Sequence, residues 1–325
     1  MILTDNELAL ALHGWIETQT VDEYRYFYRF TKKQMDYYKN TRFATKERAS
    51  AGMYLEFVTD ASAVRFEYIE NKASSQNFYY FDLYIDGKMV SHIGNGAYQN
   101  TEEGVFEQSL PEGEKTVKIY LPNLSETGFG TVELKDATIF RPTEKKVRYV
   151  AYGDSITQGY TALSPSLTYV NLVGDALNAD VYDLGIGGEV FEPLMIGEAY
   201  PVKADLVTVA YGTNDWSHVP SEEDKQRRKN FFEGLTRTHK GAEIFVLLPI
   251  WRGNGNGTKE GYGTLEDYRE TMRRELKQYP EITVVEGENL VPHHGDFFMP
   301  DLLHPNALGF TQYARNLLTE LKKHL

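Results

Sequence analysis

The sequence contains no cysteine. Disulfides, thiolate metal sites and a cysteine nucleophile are thereby excluded, although a cysteine-free chain can persist in any redox compartment. Long apolar runs are also missing, and nothing approaches the ~18 apolar residues that a membrane-spanning helix needs. The opening stretch, MILTDNELALALHGWIETQT, has no basic leading segment and is interrupted by Asp5, Glu7 and His13. No secretory signal is read there, so a cytoplasmic protein is expected. Positive charge is scarce: 34 Lys and Arg face 47 Asp and Glu, for a net −13. Such a field repels nucleic acid and anionic membrane, and no polybasic block offsets it. A neutral or cationic substrate suits it better.

What the sequence does have is enough apolar material for two cores, with 41% hydrophobic residues in 325. Two rhythms divide it. Up to residue 143, apolar residues alternate with period two. MYLEFVTD sets Met53, Leu55 and Phe57 on one face, and AVRFEYIE does the same with Val64, Phe66 and Tyr68. YFDLYIDGKMV ends its run at Asp86-Gly87, a hairpin signal. One helix, over residues 4–12, is expected in this half. The rest reads as a jelly-roll-like β-sandwich, residues 1–143.

From residue 147 the rhythm changes. Apolar strands (VRYVAYG, ADVYDLGIG, ADLVTVAYG, AEIFVLLPI, ITVVEGENL) alternate with long amphipathic stretches, which implies a parallel sheet wound with helices over 147–325. RPTEKK, residues 141–146, is read as the linker. Ligands of such sheets bind beyond the carboxyl ends of the strands.

Polar motifs fall where strands end or just before the last helix. Gly153-Asp154-Ser155 puts a hydroxyl at the rim, yet alone it is also an ordinary helix cap. DLGIGGE, residues 183–189, supplies glycines that let the backbone approach a ligand. Asn214, in YGTNDW, offers a side-chain amide or an Asx turn. In PDLLHPNALGF, Asp301 and His304 are spaced so that the carboxylate can orient one ring nitrogen while the other faces outward. His218 is a rival base, discounted because nothing local is read as orienting it in the way Asp301 would orient His304. No metal site is expected, since His293-His294 are adjacent and lack further ligands at metal spacing. Together these residues supply a nucleophile, oxyanion donors and an oriented base, the needs of acyl transfer.

In order and placement, these blocks resemble the signature blocks of the SGNH (GDSL-type) hydrolases. The resemblance covers residues 147–325 and implies the three-layer α/β SGNH-hydrolase fold. It implies Ser155 as nucleophile, His304 as general base and then acid, and Asp301 as the orienting carboxylate. The oxyanion hole it implies consists of the Ser155 and Gly188 amides and the Asn214 side chain. Gly185, Gly187 and Gly188 compete for the glycine role, and motif position favours Gly188. The family pattern opens that block with Asn, whereas this chain has Asp183. The N-terminal half, through FDLYIDGK at 81–88, resembles the sandwich domain of certain carbohydrate esterases, which implies removal of acetyl or another small acyl group from a sugar.

Asp154, Trp216 and Trp251 are taken as substrate-binding, the tryptophans for their place at strand ends and the suitability of aromatic faces for sugars. RGNGNGTKEGYG, residues 252–263, is either a substrate flap or an idle loop. No metal or organic cofactor is expected. The expected partner is a small acylated carbohydrate, with homo-oligomerisation left open. A lipase or thioesterase with a long acyl pocket, and a carbohydrate-binding protein with a vestigial hydrolase half, remain as alternatives.

Overall fold

The period-two segments of the N-terminal half fold as strands in the computed structural model of the chain, which describes residues 1–196 and 200–325. They are β1 (Tyr24–Tyr28), β2 (Tyr54–Thr59), β3 (Ala63–Lys72), β4 (Tyr79–Ile85), β5 (Lys88–Asn95), β6 (Thr101–Ser109), β7 (Lys115–Tyr120) and β8 (Ser125–Lys135). One antiparallel sheet runs β1-β8-β3-β6 and the other β2-β7-β4-β5. Glu17–Val21 extends the first beside β1, while Leu12–His13 and Phe140–Pro142 pair with β2. The stretch read as linker therefore begins as strand: Arg141 and Pro142 lie opposite Val58 and Phe57.

The alternation dictates the packing. Leu55, Phe57, Phe81 and Val117 from one sheet meet Val64, Phe66, Phe106 and Phe129 from the other in one core. Phe66 stacks on Phe106 with ring centroids 4.7 Å apart. Burying each such side chain stabilises the fold by roughly 1.5–3 kcal/mol, so a one-residue slip of register is heavily disfavoured. Asp86 (φ 48°) and Gly87 (φ 76°) both adopt positive φ, the conformation of a tight hairpin turn between β4 and β5. Helix α1 (Asp5–Ala11) forms with a Thr4–Glu7 capping box. A second helix, α2 (Lys32–Tyr38), was not expected; its Thr31–Gln34 capping box starts it, and Tyr38 anchors it between Phe30 and Phe43.

The second half forms strands β9 (Val147–Gly153), β10 (Ala179–Gly185), β11 (Leu206–Ala210), β12 (Glu243–Leu247) and β13 (Ile282–Val285), in the order β10-β9-β11-β12-β13. The ladders β9–β11, β11–β12 and β12–β13 are parallel. Between them lie α3 (Ser155–Gln158), α4 (Tyr169–Leu177), α5 (Pro193–Ile196), α6 (Thr213–His218), α7 (Ser221–Thr238) and α8 (Leu265–Leu276), and α9 (Ala307–Leu321) follows β13. Helices α4 and α9 pack together, with Tyr169 stacked on Tyr313, as do α5 with α7 and α6 with α8. The order reverses at β9, leaving a crevice between the carboxyl ends of β9 and β11.

The chain divides into two units. One holds Met1–Lys146 with Leu163–Ser166 and Asp180–Tyr182; the other holds Val147–Ala162, Leu167–Ala179 and Asp183–Leu325. Among the described residues, no helix is long and apolar enough to cross a membrane.

Candidate active site

Strand β9 ends at Gly153, where no larger residue fits: a Cβ there would lie 2.0 Å from Thr157 Oγ1. Asp154 then caps α3, its Oδ1 accepting from the Ile156 amide at 2.9 Å. Ser155 is the first residue of that turn, and Gly159 closes it at φ 79°. The Ser155 amide is thus one of the first-turn N–H groups that have no intrahelical acceptor.

The loop before α9 brings up the histidine. Asp301 Oδ1 accepts from the Leu303 and His304 amides at 2.9 and 3.1 Å, curling the loop, while Oδ2 stands 2.6 Å from His304 Nδ1. His304 Nε2 stands 2.8 Å from Ser155 Oγ. Burial raises the Asp301 pKa, but the hydrogen bonds from His304 and the two amides outweigh it, leaving Asp301 below its ordinary value and ionised. Leu302 turns the loop at φ 51°, a left-handed conformation that costs a non-glycine residue roughly 1–2 kcal/mol. Two backbone bonds hold it there, Leu302 N–H to Met299 O and Gly253 N–H to Leu302 O, each 2.8 Å. The Tyr160 ring lies 4.8 Å from the imidazole, and the Thr161 hydroxyl donates to Pro305 O.

After β10, the three glycines have separate tasks. The Gly185 amide donates to Asp183 Oδ1, the Gly187 amide donates to Gln158 Oε1, and Gly188 takes the left-handed position at φ 88°. Asp183 thus supports the loop through a carboxylate oxygen, a bond that an asparagine carbonyl could equally accept. After β11, Asn214 Nδ2 donates to Glu189 O at 3.0 Å and lies 3.4 Å from Asp154 Oδ2. One amide therefore links the loops that follow β9, β10 and β11. Asp215 beside it is buried and accepts from the Gly212 and Phe191 amides, and burial lifts its pKa to about 6.

Ser155, Gly188, Asn214, Asp301 and His304 all belong to the second unit, and a continuous hydrogen-bonded chain joins Ser155, His304 and Asp301. A hydroxyl on an imidazole that a carboxylate orients can surrender its proton to that imidazole. Two of the three residues expected to bind substrate do not reach the surface. Asp154 is 1% exposed and committed to the α3 cap, and burial pushes its carboxyl up to about 7. Trp216 is also 1% exposed, its indole N–H donating to Gly263 O, because its position on α6 turns it inward. Trp251 is half-buried, packed against His293 and Phe298. Sequence reasoning missed Arg252, the first charged residue after the apolar run that ends β12, which bonds to the Asn214 helix. Cavities of about 240 and 410 Å³ lie along α7 and α8, and none of Ser155, Gly188, Asn214, Asp301 and His304 lines them. Among the described residues, no group of three or more His, Cys, Asp or Glu is arranged to hold a metal ion.

The model of the GDSL-like lipase/acylhydrolase family matches residues 151–311, the stretch that contains Ser155, Gly188, Asn214, Asp301 and His304. This stretch is a GDSL-like lipase/acylhydrolase domain. No curated protein sequence matches the chain. Solved structures do resemble it. The salicylyl-acyltransferase SsfX3 from a tetracycline biosynthetic pathway superposes with a TM-score of 0.84 at 22% identity, over 96% of this chain and 94% of its own. A Bacteroides ovatus protein described as a GDSL-like lipase gives 0.74 at 20% identity, over 99% and 97%. A family two carbohydrate esterase from Cellvibrio japonicus gives 0.68 at 16%, over 98% and 96%. At these identities the likeness is one of fold, and it spans both halves of the chain with the GDSL-like domain second.

Proposed function

We propose that this chain is a serine esterase that removes acetyl or another small acyl group from a carbohydrate through an acyl-enzyme. The observation that carries the reading is the chain Ser155 Oγ–His304 Nε2 at 2.8 Å and His304 Nδ1–Asp301 Oδ2 at 2.6 Å. In the first step Ser155 Oγ attacks the ester carbonyl and His304 Nε2 takes its proton. The Ser155 and Gly188 amides and the Asn214 side chain hold the tetrahedral oxyanion. Collapse breaks the bond to the alcohol, which leaves with the proton from His304. Water then attacks the acyl-enzyme, giving its proton to His304, and the acid departs as Ser155 is reprotonated.

The carbohydrate part rests on fold likeness to structures described as family two carbohydrate esterases and an acetyl xylan esterase. A net charge of −13 also suits a neutral sugar better than an anionic one. The first half is read as a jelly roll, supported by the sheet orders β1-β8-β3-β6 and β2-β7-β4-β5. Hydrolysis of p-nitrophenyl esters from acetate to octanoate, by wild type and Ser155→Ala together, tests the reading. Turnover that falls with chain length and vanishes in the variant supports it, and acetylated xylo-oligosaccharides are the next substrates. Preference for octanoate replaces it with a lipase or thioesterase reading.

A further inference from the structure

We propose that Arg252 is a positioning residue that locks the helix carrying Asn214 to the loop carrying Asp301 and His304. The inference rests on the esterase reading and adds a part that none of the signature blocks contains. Arg252 Nη1 donates to Thr213 O at 3.2 Å, Thr213 Oγ1 at 3.0 Å and Ser217 Oγ at 2.8 Å, all on α6. Its Nε donates to Asn254 Oδ1 at 2.7 Å, and its guanidinium lies 5.4 Å from the Trp216 ring centroid. The next residue, Gly253, reaches the other way. Its amide holds Leu302 O at 2.8 Å, and Leu302 packs so closely that a Cβ on Gly253 would come within 2.6 Å of it. Two consecutive residues thus grip the donor helix on one side and the left-handed residue next to Asp301 on the other. Burial holds the guanidinium below its ordinary pKa, and the charges of Asp154 and Asp301 partly offset that by favouring its protonated form. The beginning of the glycine-rich loop is therefore a fastening, where the sequence left a flap or an idle loop open.

Three variants and one small molecule test this. Arg252→Met is expected to lower kcat on p-nitrophenyl acetate about 10²-fold with KM little changed, the cost of a misplaced catalytic group. Arg252→Lys recovers part of the loss, because an ammonium can replace Nη1 but not Nε as well. Added methylguanidinium restores turnover to Arg252→Ala. A kcat for Arg252→Met equal to wild type overturns the proposal. So does a loss in Arg252→Ala that methylguanidinium leaves unrepaired while the thermal transition falls. Failure of the esterase reading looks different: wild type itself shows no Ser155-dependent turnover on any ester. The positioning role is then read from the downfield proton resonance of the His304–Asp301 hydrogen bond, expected to shift or vanish in Arg252→Met. An unchanged resonance overturns it.

Discussion

Each unit contains a serine, an aspartate and a histidine joined by short hydrogen bonds, and the order of joining differs. In the first unit, Asp82 stands in the middle: Oδ1 is 2.6 Å from His92 Nδ1, and Oδ2 accepts from the Ser166 hydroxyl at 2.6 Å and its amide at 3.0 Å. In the second, His304 stands in the middle, 2.8 Å from Ser155 and 2.6 Å from Asp301. A carboxylate is too weak a base to draw a proton from a serine hydroxyl, whereas imidazole titrates near neutrality. Asp82 therefore ties structure together. Ser166 is 2% exposed, donates to that carboxylate, and accepts from the Tyr84 hydroxyl. Under the proposed function, the same three residue types are inert or reactive according to which of them is central.

The largest expected effect breaks the comparison most directly. Ser155→Ala should lower kcat on p-nitrophenyl acetate by roughly 10⁴–10⁶-fold, as loss of a nucleophile does elsewhere. Ser166→Ala should leave ester turnover unchanged and show its effect in the thermal transition. If the two variants exchange these effects, the assignment of the reactive set is wrong. Next, Asp301→Asn should cost about 10⁴-fold, because an amide donor at that position favours the wrong imidazole tautomer. Asp82→Asn should spare turnover. Asn214→Ala should cost on the order of 10²–10³-fold in kcat, the usual loss of one oxyanion donor. Unchanged turnover in Asn214→Ala would sink the donor role and leave the amide as a brace between Glu189 and Asp154.

The two-part architecture and the second unit's set were legible in the sequence. The change from period two to strand–helix alternation near residue 147 marked two architectures, and the strand ends marked the rim. What periodicity could not show was direction. Trp216 follows a strand end in sequence, yet a capped turn carries it into α6, where helical geometry points it inward. Asp154 was expected to bind substrate, but its carboxylate caps α3 and is buried there. Helix α2 escaped notice because its capping box, not an apolar stripe, starts it. Arg252 lies outside every block, in a glycine-rich loop that reads equally as a substrate flap or an idle loop. Likewise Asp82 and Ser166 are 84 residues apart, and no local pattern joins them.

The smallest expected effect sharpens the comparison through charge. In the second unit, hydrogen bonds outweigh burial at Asp301 and keep its carboxyl below the ordinary value. In the first, burial dominates at Glu70 and pushes its pKa from 4.5 up to about 8, although the Ser125 and Thr127 hydroxyls donate to it. The two carboxyls therefore act on stability with opposite sign. Asp301 contributes stability that is present above its unfolded value and lost as acid protonates it. Its side chain is 45% exposed, so solvent screening keeps that contribution small. Glu70 binds a proton in the folded state between about pH 4.5 and 8 that the unfolded chain has released. Its contribution is complete below the lower value and is lost as pH rises through the upper one. Glu70→Gln keeps the shape and removes the titration. Thermal midpoints measured from pH 5 to 9 should then show wild type falling relative to Glu70→Gln by several °C, most of it complete by about pH 8. Parallel curves would mean that Glu70 titrates normally and that the sandwich core admits more solvent than its 0% exposure implies.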